Sequence, residues 1–465
     1  MMPETAPRAR RSGEVIRWLY SILLVLASPL LLAGMALRAR RAGGDWEVLG
    51  RERFGGYADG PAVPAGAVWV HAVSLGETRA AQPFIRMLLD RGHCVLLTHL
   101  TATGRAEGGR AYARDIAAGR LRQVWLPYDF PGATRRFMRC HRPAVGILIE
   151  RELWPNLVHA AAAERIPLVL ASARMSAASL RQNLRLGWLM RPTYATLSRT
   201  YAQSGADAQR LEQVGAAAVS ISGNFKFDLR VDAERVARGR DFAARLSRPV
   251  VVIASTRESE DAAFVAAMRP WAERWRAQDV AVENRPLFIL IPRHPQRFDE
   301  AAGLLESAGL SFVRRTRLVD LEDASDASDA AVQACRAHEV MLGDTLGEMP
   351  WYYGCALVAI VGGSFAPLGG QNFIEASALG CPVLVGPHVA NFEQAAKDAL
   401  QAGAVRQAQT PEEALQCALQ WLDDDALRAR MGEAALRWVG QHTGAVARVV
   451  AGVEGLIRES GVSPD

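Results

Sequence analysis

Lysine is almost absent from the sequence. Only Lys226 and Lys397 occur among its 54 basic residues, so arginine supplies nearly every positive charge. Because a compact ammonium does what a planar guanidinium cannot, each remaining lysine is a candidate functional group. The net charge is only +5 over 465 residues and the arginines are scattered, which argues against a surface that binds nucleic acid.

Several sequence patterns that define other protein classes are also missing. The six cysteines form no CxxC pair and several lie in apolar runs, as reduced core cysteines of a cytosolic body do. The nine histidines show neither HExxH nor clustered His/Cys spacing, so we expect no metal site. Neither GxGxxG nor GxxxxGK[ST] occurs, which argues against a dinucleotide enzyme and a P-loop ATPase.

What is present is a long alternation of strand-like and helical patterns, which predicts an α/β fold with parallel sheets. At 465 residues the chain is too long for one core, so we expect two domains. We place an N-terminal basic segment and anchor helix at 1–41, a first domain at 42–235 and a second domain at 236–465. The predicted strands are Val68–Val73, Cys94–Thr98, Val124–Pro127, Val145–Ile149, Leu168–Ala171 and Val219–Ser222, then Val250–Ala254, Leu287–Ile291, Phe312–Arg315, Val340–Leu342, Leu357–Val361 and Val383–Val385.

The N-terminal segment contains an uncharged run of twenty residues, Trp18 to Leu37. As a helix this run is long enough to cross a hydrocarbon core of roughly 30 Å, although Pro29 would kink it. Arginines flank both ends of the run, so the distribution of positive charge only slightly favours a cytoplasmic location for the rest of the chain. A cleaved signal peptide is the alternative, but the basic cluster directly after the run and the lack of an A-x-A site argue against it. We expect a membrane anchor, spanning or interfacial, that favours an anionic leaflet.

Charged residues follow the predicted strands of the first domain, at the edge where parallel α/β sheets bind ligands. Ser74 and Glu77 have the spacing of a capping box, which is one interpretation; the other is that Glu77 is a carboxylate ready to accept a proton. Glu150 and Glu152 follow the Val145–Ile149 run and would share one side if the strand continued. They could instead cap the next helix or pair with Arg151.

Lys226 follows the predicted strand Val219–Ser222, which places this lysine at another strand end. In the second domain Arg293 follows Leu287–Ile291, where it could clamp a phosphate or carboxylate, or else lie solvated on a surface turn. Leu346-Gly347-Glu348 begins another helix. The acidic stretch 321–330 is a low-complexity insert.

The second domain is organised around the stretch from Leu357 to Pro387. A buried strand is followed by the pairs Gly362-Gly363 and Gly369-Gly370, then by Asn372 as a predicted N-cap with Glu375 three residues on. A strand, a glycine-rich loop and a helix N-terminus together favour an anionic ligand. The alternative is a tight βαβ turn without a ligand.

Eight segments, in this order, resemble the 3-deoxy-D-manno-octulosonic acid (Kdo) transferases of lipopolysaccharide assembly. They are HAVSLGETRAAQP, LPYDFPGATRRF, ERELWPN, ASARMS, SGNFKFD, IPRHPQRF, GDTLGEMPWYYG and VGGSFAPLGGQNFIEASALGCPVLVGP. The resemblance runs from about residue 69 to 395. One departure is Arg151, where the family often has threonine between the two glutamates.

The resemblance implies a GT-B glycosyltransferase, with two Rossmann-like domains facing a cleft, anchored to the bacterial inner membrane with its body in the cytoplasm. It implies inverting transfer from the donor CMP-Kdo to the acceptor lipid IVA, with no cofactor or metal. By position, Glu77 would be the catalytic base, and Glu150 and Lys226 would stabilise the transition state. The implied CMP-binding positions are Pro292, Arg293, Leu346, Gly347, Glu348, Asn372, Phe373, Ile374 and Glu375.

Three other functions remain open from the sequence. A GT-B enzyme using a UDP-sugar and a different lipid acceptor would keep the same architecture. A hydrolytic or epimerising sugar-nucleotide enzyme would need neither lipid acceptor nor anchor. A membrane-tethered binding module would not need charged residues at four strand ends. The number of Kdo units added, the acyl-chain preference and the oligomeric state do not follow from the sequence.

Overall fold

Two parallel sheets of seven strands each form the frame of the protein in a computed structural model that describes residues 7–41, 47–57, 66–228, 231–318 and 327–459. The first sheet contains β1 (Val68–His71), β2 (Val95–His99), β3 (Leu121–Trp125), β4 (Val145–Ile149), β5 (Leu168–Ala173), β6 (Arg199–Ala202) and β7 (Val219–Ile221). The second contains β8 (Val250–Thr256), β9 (Leu287–Pro292), β10 (Phe312–Arg314), β11 (Val340–Leu342), β12 (Val358–Val361), β13 (Val383–Val385) and β14 (Val405–Gln407). The predicted α/β class with parallel sheets is confirmed.

Helices cover these sheets and connect their strands. The first ten are α1 (Pro7–Arg41), α2 (Leu75–Ala80), α3 (Gln82–Asp90), α4 (Ala102–Ala111), α5 (Ala113–Ala117), α6 (Pro131–His141), α7 (Pro155–Ala163), α8 (Ala177–Arg185), α9 (Gly187–Ala195) and α10 (Gly205–Gln213). The next ten are α11 (Ala233–Leu246), α12 (Glu260–Ala277), α13 (Phe298–Ser307), α14 (Ala327–Ala337), α15 (Met349–Cys355), α16 (Ile374–Ser377), α17 (Glu393–Gln401), α18 (Pro411–Leu422), α19 (Asp425–His442) and α20 (Ala445–Glu459).

The central strands of each sheet are buried on both faces, as is usual for parallel strands that helices cover. Successive side chains of a strand point to opposite faces, so Val68 and Val70 enter one core of the first unit while Trp69 enters the other. In the second unit all four residues of β12 are buried, which explains its continuous apolar sequence.

The chain divides into two compact units, Met1–Leu229 with His442–Asp465 and Arg230–Gln441. We predicted that the second domain extends from 236 to 465, and its C-terminal boundary is therefore wrong. Helix α20 carries an apolar face, with Val446, Val449 and Val453 fully or almost fully buried in a core of the first unit. Because this face is buried there, the helix belongs to the first unit. The predicted boundary at 42 and most of the acidic insert lie outside the described residues.

The strand order of each sheet shows where its connections reverse direction. The first sheet has the order β3-β2-β1-β4-β5-β6-β7 and the second β10-β11-β9-β8-β12-β13-β14. The reversal lies between β1 and β4 in the first sheet and between β8 and β12 in the second. In open α/β sheets ligands bind outside the carboxyl ends of strands at this point.

Candidate active site

Glu77 lies beyond the carboxyl end of β1, in the first turn of α2. Ser74 is the N-cap, its Oγ accepts the N–H of Glu77 at 3.4 Å, and Glu77 Oε2 accepts the N–H of Val73 at 2.7 Å. The predicted capping box is therefore present. Burial, with the nearby carboxylate of Glu150 as a second cause, raises the pKa of Glu77 to about 8. The same side chain can cap the helix and act as a base near neutral pH.

Glu150 follows β4 directly and has a left-handed backbone, with φ at 60°. A non-glycine residue in this region is uncommon, and such backbone strain clusters at functional sites. Glu150 Oε1 lies 3.8 Å from Nζ of Lys226, and both side chains are largely buried. Lys226 sits in a short 3₁₀ turn that Asn224 begins, because Asn224 Oδ1 accepts the N–H of Lys226 at 3.0 Å. Three predicted residues, Glu77, Glu150 and Lys226, are thus brought together.

Glu150 and Glu152 would share a strand face only if the strand continued, and it does not, because β4 ends at Ile149 and the chain turns at Glu150. The two carboxylates nevertheless remain close. Burial raises the pKa of Glu152, and the charge of Glu150 adds to that rise. A hydrogen bond from the Trp154 side chain to Glu152 opposes it.

Glu260, which the sequence did not single out, organises the glycine-rich loop of the second unit. It is only 2% exposed at the first residue of α12. Its Oε2 accepts the N–H groups of Arg257 at 2.8 Å and Gly363 at 2.6 Å. Its Oε1 accepts those of Phe365 at 2.8 Å and Ala366 at 3.2 Å. A carboxylate at a helix start, four residues after the end of β8, is the signal that could have identified it.

These contacts change the expectation that the loop offers free N–H groups to an anion, since Glu260 already binds three of them. The helix after the loop, α16, is short, with four residues. Its N-cap is Phe373, one residue after the predicted Asn372, whose Oδ1 accepts the N–H of Ile374 at 3.1 Å while its amide donates to Glu375 Oε1 at 2.9 Å. Phe373 is buried and stacks on Trp438 at 5.8 Å, which holds this turn against α19.

Arginine side chains gather beyond β8 and β9. Pro292 ends β9, and the N–H of Arg293 donates to Thr256 O at 2.9 Å, which joins the two strand ends. Partial burial lowers the pKa of His294, and the charges of Arg257 and Arg293 lower it further. The charges of Arg257 and Arg293 create a positive field at His294 that suits a phosphate or carboxylate. Arg257 belongs to this group, although the sequence prediction included only Arg293.

Leu346, Gly347 and Glu348 line the start of α15. Glu348 Oε1 accepts from Arg315 Nη2 at 2.7 Å, and Gly347, with φ at 83°, accepts through its carbonyl from Arg235 Nη1 at 2.8 Å. Leu346 is exposed. Glu348 lies in a cavity of about 250 Å³ whose other lining residues are Asp232, Glu234, Arg235, Arg238, Arg315 and Trp351. Within the described residues no group of three His, Cys, Asp or Glu side chains could hold a metal ion.

Two Rossmann-like units, each built on a seven-stranded parallel sheet, give the protein the GT-B type of fold that the sequence predicted. A solved glycosyltransferase from Rickettsia africae shares this fold, with a TM-score of 0.54, 11% identity and coverage of 85% of this chain and 99% of that one. A UDP-GlcNAc 2-epimerase from Neisseria meningitidis shares it too, with a TM-score of 0.53, 13% identity and coverage of 84% and 100%.

Sequence relatives identify the family. Residues 50–229 match the family described as 3-deoxy-D-manno-octulosonic-acid transferase (kdotransferase). A 3-deoxy-D-manno-octulosonic acid transferase of Bordetella pertussis is 51% identical over 440 residues, which cover 94% of this chain and 99% of that protein. The chain belongs to the Kdo transferase family. The predicted family and enzyme class are confirmed.

Proposed function

We propose that the protein transfers Kdo from CMP-Kdo to lipid IVA at the cytoplasmic face of the bacterial inner membrane. The observation that carries this proposal is the group formed by Glu77, Glu150 and Lys226 at the reversal point of the first sheet. A carboxyl whose pKa is about 8 lies there beside a second carboxylate and a lysine. Membership in the Kdo transferase family supports the choice of sugar.

CMP-Kdo would bind to the second unit, beyond the carboxyl ends of its central strands. The positive field of Arg257 and Arg293 would hold the phosphate of the nucleotide or the carboxylate of the sugar. Glu348 and Glu375 would accept from hydroxyl groups of the donor. Because Glu260 occupies the N–H groups at the start of the glycine-rich loop, the loop would act as a rigid wall and the arginines would bind the anion. The remaining predicted CMP-binding residues are Pro292, Leu346, Gly347, Asn372, Phe373 and Ile374.

The reaction would be a direct displacement with inversion. Glu77 would take the proton of the attacking acceptor hydroxyl, whose oxygen then forms a bond to the anomeric carbon while the bond to the CMP phosphate breaks. Positive charge develops on the sugar and negative charge on the phosphate, so fixed groups of opposite sign would lower the barrier. Lys226 would stabilise the developing negative charge, and Glu150 the cationic sugar.

Helix α1 would attach the enzyme to the membrane that contains the lipid acceptor. It includes one stretch, Val15–Arg41, long and apolar enough to cross a membrane by length and composition. The exposed Arg38, Arg40 and Arg41 at its end suit an anionic leaflet.

The full chain incubated with CMP-Kdo and lipid IVA should yield a product heavier by one or more Kdo residues, counted by mass spectrometry. CMP should be released only when the lipid is present. Release of CMP without the lipid, or no change in lipid mass, would contradict the proposal.

A GT-B transferase that uses a UDP-sugar is the second candidate, since the fold is shared with an enzyme crystallised with UDP-GlcNAc. Thermal denaturation with added CMP or UDP separates the two. We expect CMP to raise the Tm and UDP to leave it unchanged. The reverse result would favour the UDP-sugar enzyme.

A further inference from the structure

Helix α1 is largely exposed along its apolar stretch, but one of its faces is partly buried. Among the less exposed positions, a series follows the helical repeat: Arg17, Ser21, Leu24, Ser28, Leu32, Met35 and Ala39. Between them lie large exposed apolar side chains, among them Leu23, Leu26 and Leu30, which are 64%, 72% and 82% exposed. A surface this apolar on the outside of a folded unit marks an interaction site.

The beginning of α1 is fastened to the first unit by buried polar groups. Arg17 Nη1 and Ser21 Oγ each donate to Asn156 Oδ1 at 3.1 Å, and Tyr20 OH donates to Asp129 Oδ2 at 3.0 Å. Asn156 is 1% and Asp129 7% exposed. These contacts place residues 17–21 of the helix on the surface of the first unit.

The chain returns to the same place soon after the helix ends. Val48 O accepts from Tyr128 OH at 2.8 Å, and Tyr128 is the neighbour of Asp129, which binds Tyr20. Arg41 is only seven residues before Val48. Seven residues reach at most about 25 Å even when fully extended. That is less than the roughly 30 Å hydrocarbon core.

A spanning α1 would leave Arg41 on the opposite side of the bilayer from the first unit. The chain could not then return to Val48 within seven residues. We therefore infer that α1 lies along the membrane surface, parallel to the bilayer plane, with its exposed apolar face in the lipid and the first unit on the same side as both helix ends. This inference rests on the proposed membrane attachment and specifies its geometry.

A neighbouring surface of the first unit has the same character. Helix α9 packs against α1. Leu184, Leu186 and Trp188, at the junction of α8 and α9, are 51%, 40% and 49% exposed. Arg181, Arg185 and Arg191 are exposed beside them. Apolar side chains flanked by arginines fit the interface of an anionic bilayer, because arginine stems lie in the apolar layer while their charges meet lipid phosphates.

A labelling experiment tests the geometry. The full chain with Cys94→Ser, Cys140→Ser and Arg41→Cys is bound to closed vesicles of phosphatidylethanolamine and phosphatidylglycerol, and a membrane-impermeant maleimide is added outside. A second chain carries Cys94→Ser alone and keeps the exposed Cys140. Labelling of Cys140 in this chain shows on which side of the membrane the first unit lies. We expect both cysteines to react before the vesicles are lysed. Protection of position 41 until lysis would overturn the inference.

Vesicle binding tests the exposed face independently. The double variant Leu26→Glu/Leu30→Glu should bind phosphatidylglycerol vesicles at least tenfold more weakly than the unchanged chain. Leu436→Glu, at a half-exposed leucine of the second unit, is the matched control and should bind normally. Equal binding by the double variant would overturn the inference. If the unchanged chain binds no vesicles, the proposed membrane attachment fails as well. If it binds but position 41 is protected, only the interfacial geometry fails.

Discussion

Glu260 Oε2 accepts the N–H of Gly363 at 2.6 Å, which ties the start of the glycine-rich loop to the first turn of α12. Gly363 has φ at 66°, and a Cβ there would come within 2.9 Å of the Gln371 side chain. A buried carboxylate on one side and a crowded glycine on the other therefore fix the conformation of the loop. We expect donor binding to depend on this preformed loop.

Replacing Glu260 with glutamine should weaken donor binding. The amide group would face N–H donors and leave some of them unsatisfied, at a cost of about 1–3 kcal/mol. The free loop of the variant would relax to avoid this cost and donor binding would have to restore it, which corresponds to a roughly 5- to 150-fold rise in KM for CMP-Kdo. Glu273→Gln, at an exposed residue of the same helix, is the control. Steady-state kinetics with an unchanged KM for the Glu260→Gln variant would contradict the role of the loop.

Replacing Glu77 with glutamine should lower kcat by about 10² to 10⁴ while the protein stays folded, because a glutamine caps the helix but accepts no proton. Glu413 is a matched control. It closes a capping box with Thr410, and its Oε2 accepts the N–H of Gln409 at 2.7 Å. Kinetic measurements on Glu413→Gln should show full turnover. Equal losses in both variants would assign Glu77 a purely structural role.

The raised pKa of Glu77 also predicts how stability depends on pH. In the unfolded chain this carboxyl loses its proton near 4.5, whereas in the folded protein it keeps the proton until about 8. Between these values the unfolded state binds fewer protons, so the free energy of unfolding falls as the pH rises. A glutamine has no proton to lose. The Tm of Glu77→Gln relative to the unchanged protein should therefore rise from pH 4.5 to 8 and then level off. A difference independent of pH in scanning calorimetry would refute the raised pKa.

Lys226→Arg should cost activity although the charge is kept. The ammonium lies 3.8 Å from Glu150 with both side chains largely buried, so a larger planar group would displace the charge. Loss of a fixed charge at the reacting centre lowers kcat by on the order of 10². Lys397, exposed on α17, provides the control, and Lys397→Arg should turn over normally. Full activity of Lys226→Arg would show that any cation suffices there.

The sequence predicted most strands because buried parallel strands read as short, continuous apolar runs. It missed β6, whose sequence RTYA begins with arginine, and β14, whose sequence VRQ is largely polar. The helical stretch after β1 is divided in two, because Ala81 separates α2 from α3 and Pro83 lies in the first turn of α3. Local composition does not predict these two strands or the break between the helices, because they depend on pairing with neighbouring strands and on packing.

The candidate site could be predicted where it depends on strand ends and not where it depends on distant contacts. Glu77, Glu150 and Lys226 each follow a strand in the sequence, so the parallel sheet brings them together. Glu260 contacts a loop about one hundred residues further along the chain, and no local sequence pattern predicts such a contact. The catalytic and CMP-binding roles of all these residues stay predictions until the variants are measured.

The position of helix α20 in the sequence determines the order in which the two units can finish folding during translation. Its valines close one face of the first sheet, yet the 212 residues of the second unit, from Arg230 to Gln441, precede it. At about 5–20 residues per second, a ribosome needs roughly 10–40 s to make that stretch. Throughout this interval the nascent first unit presents an apolar face to chaperones. The unit encoded first is therefore the last to acquire its full core.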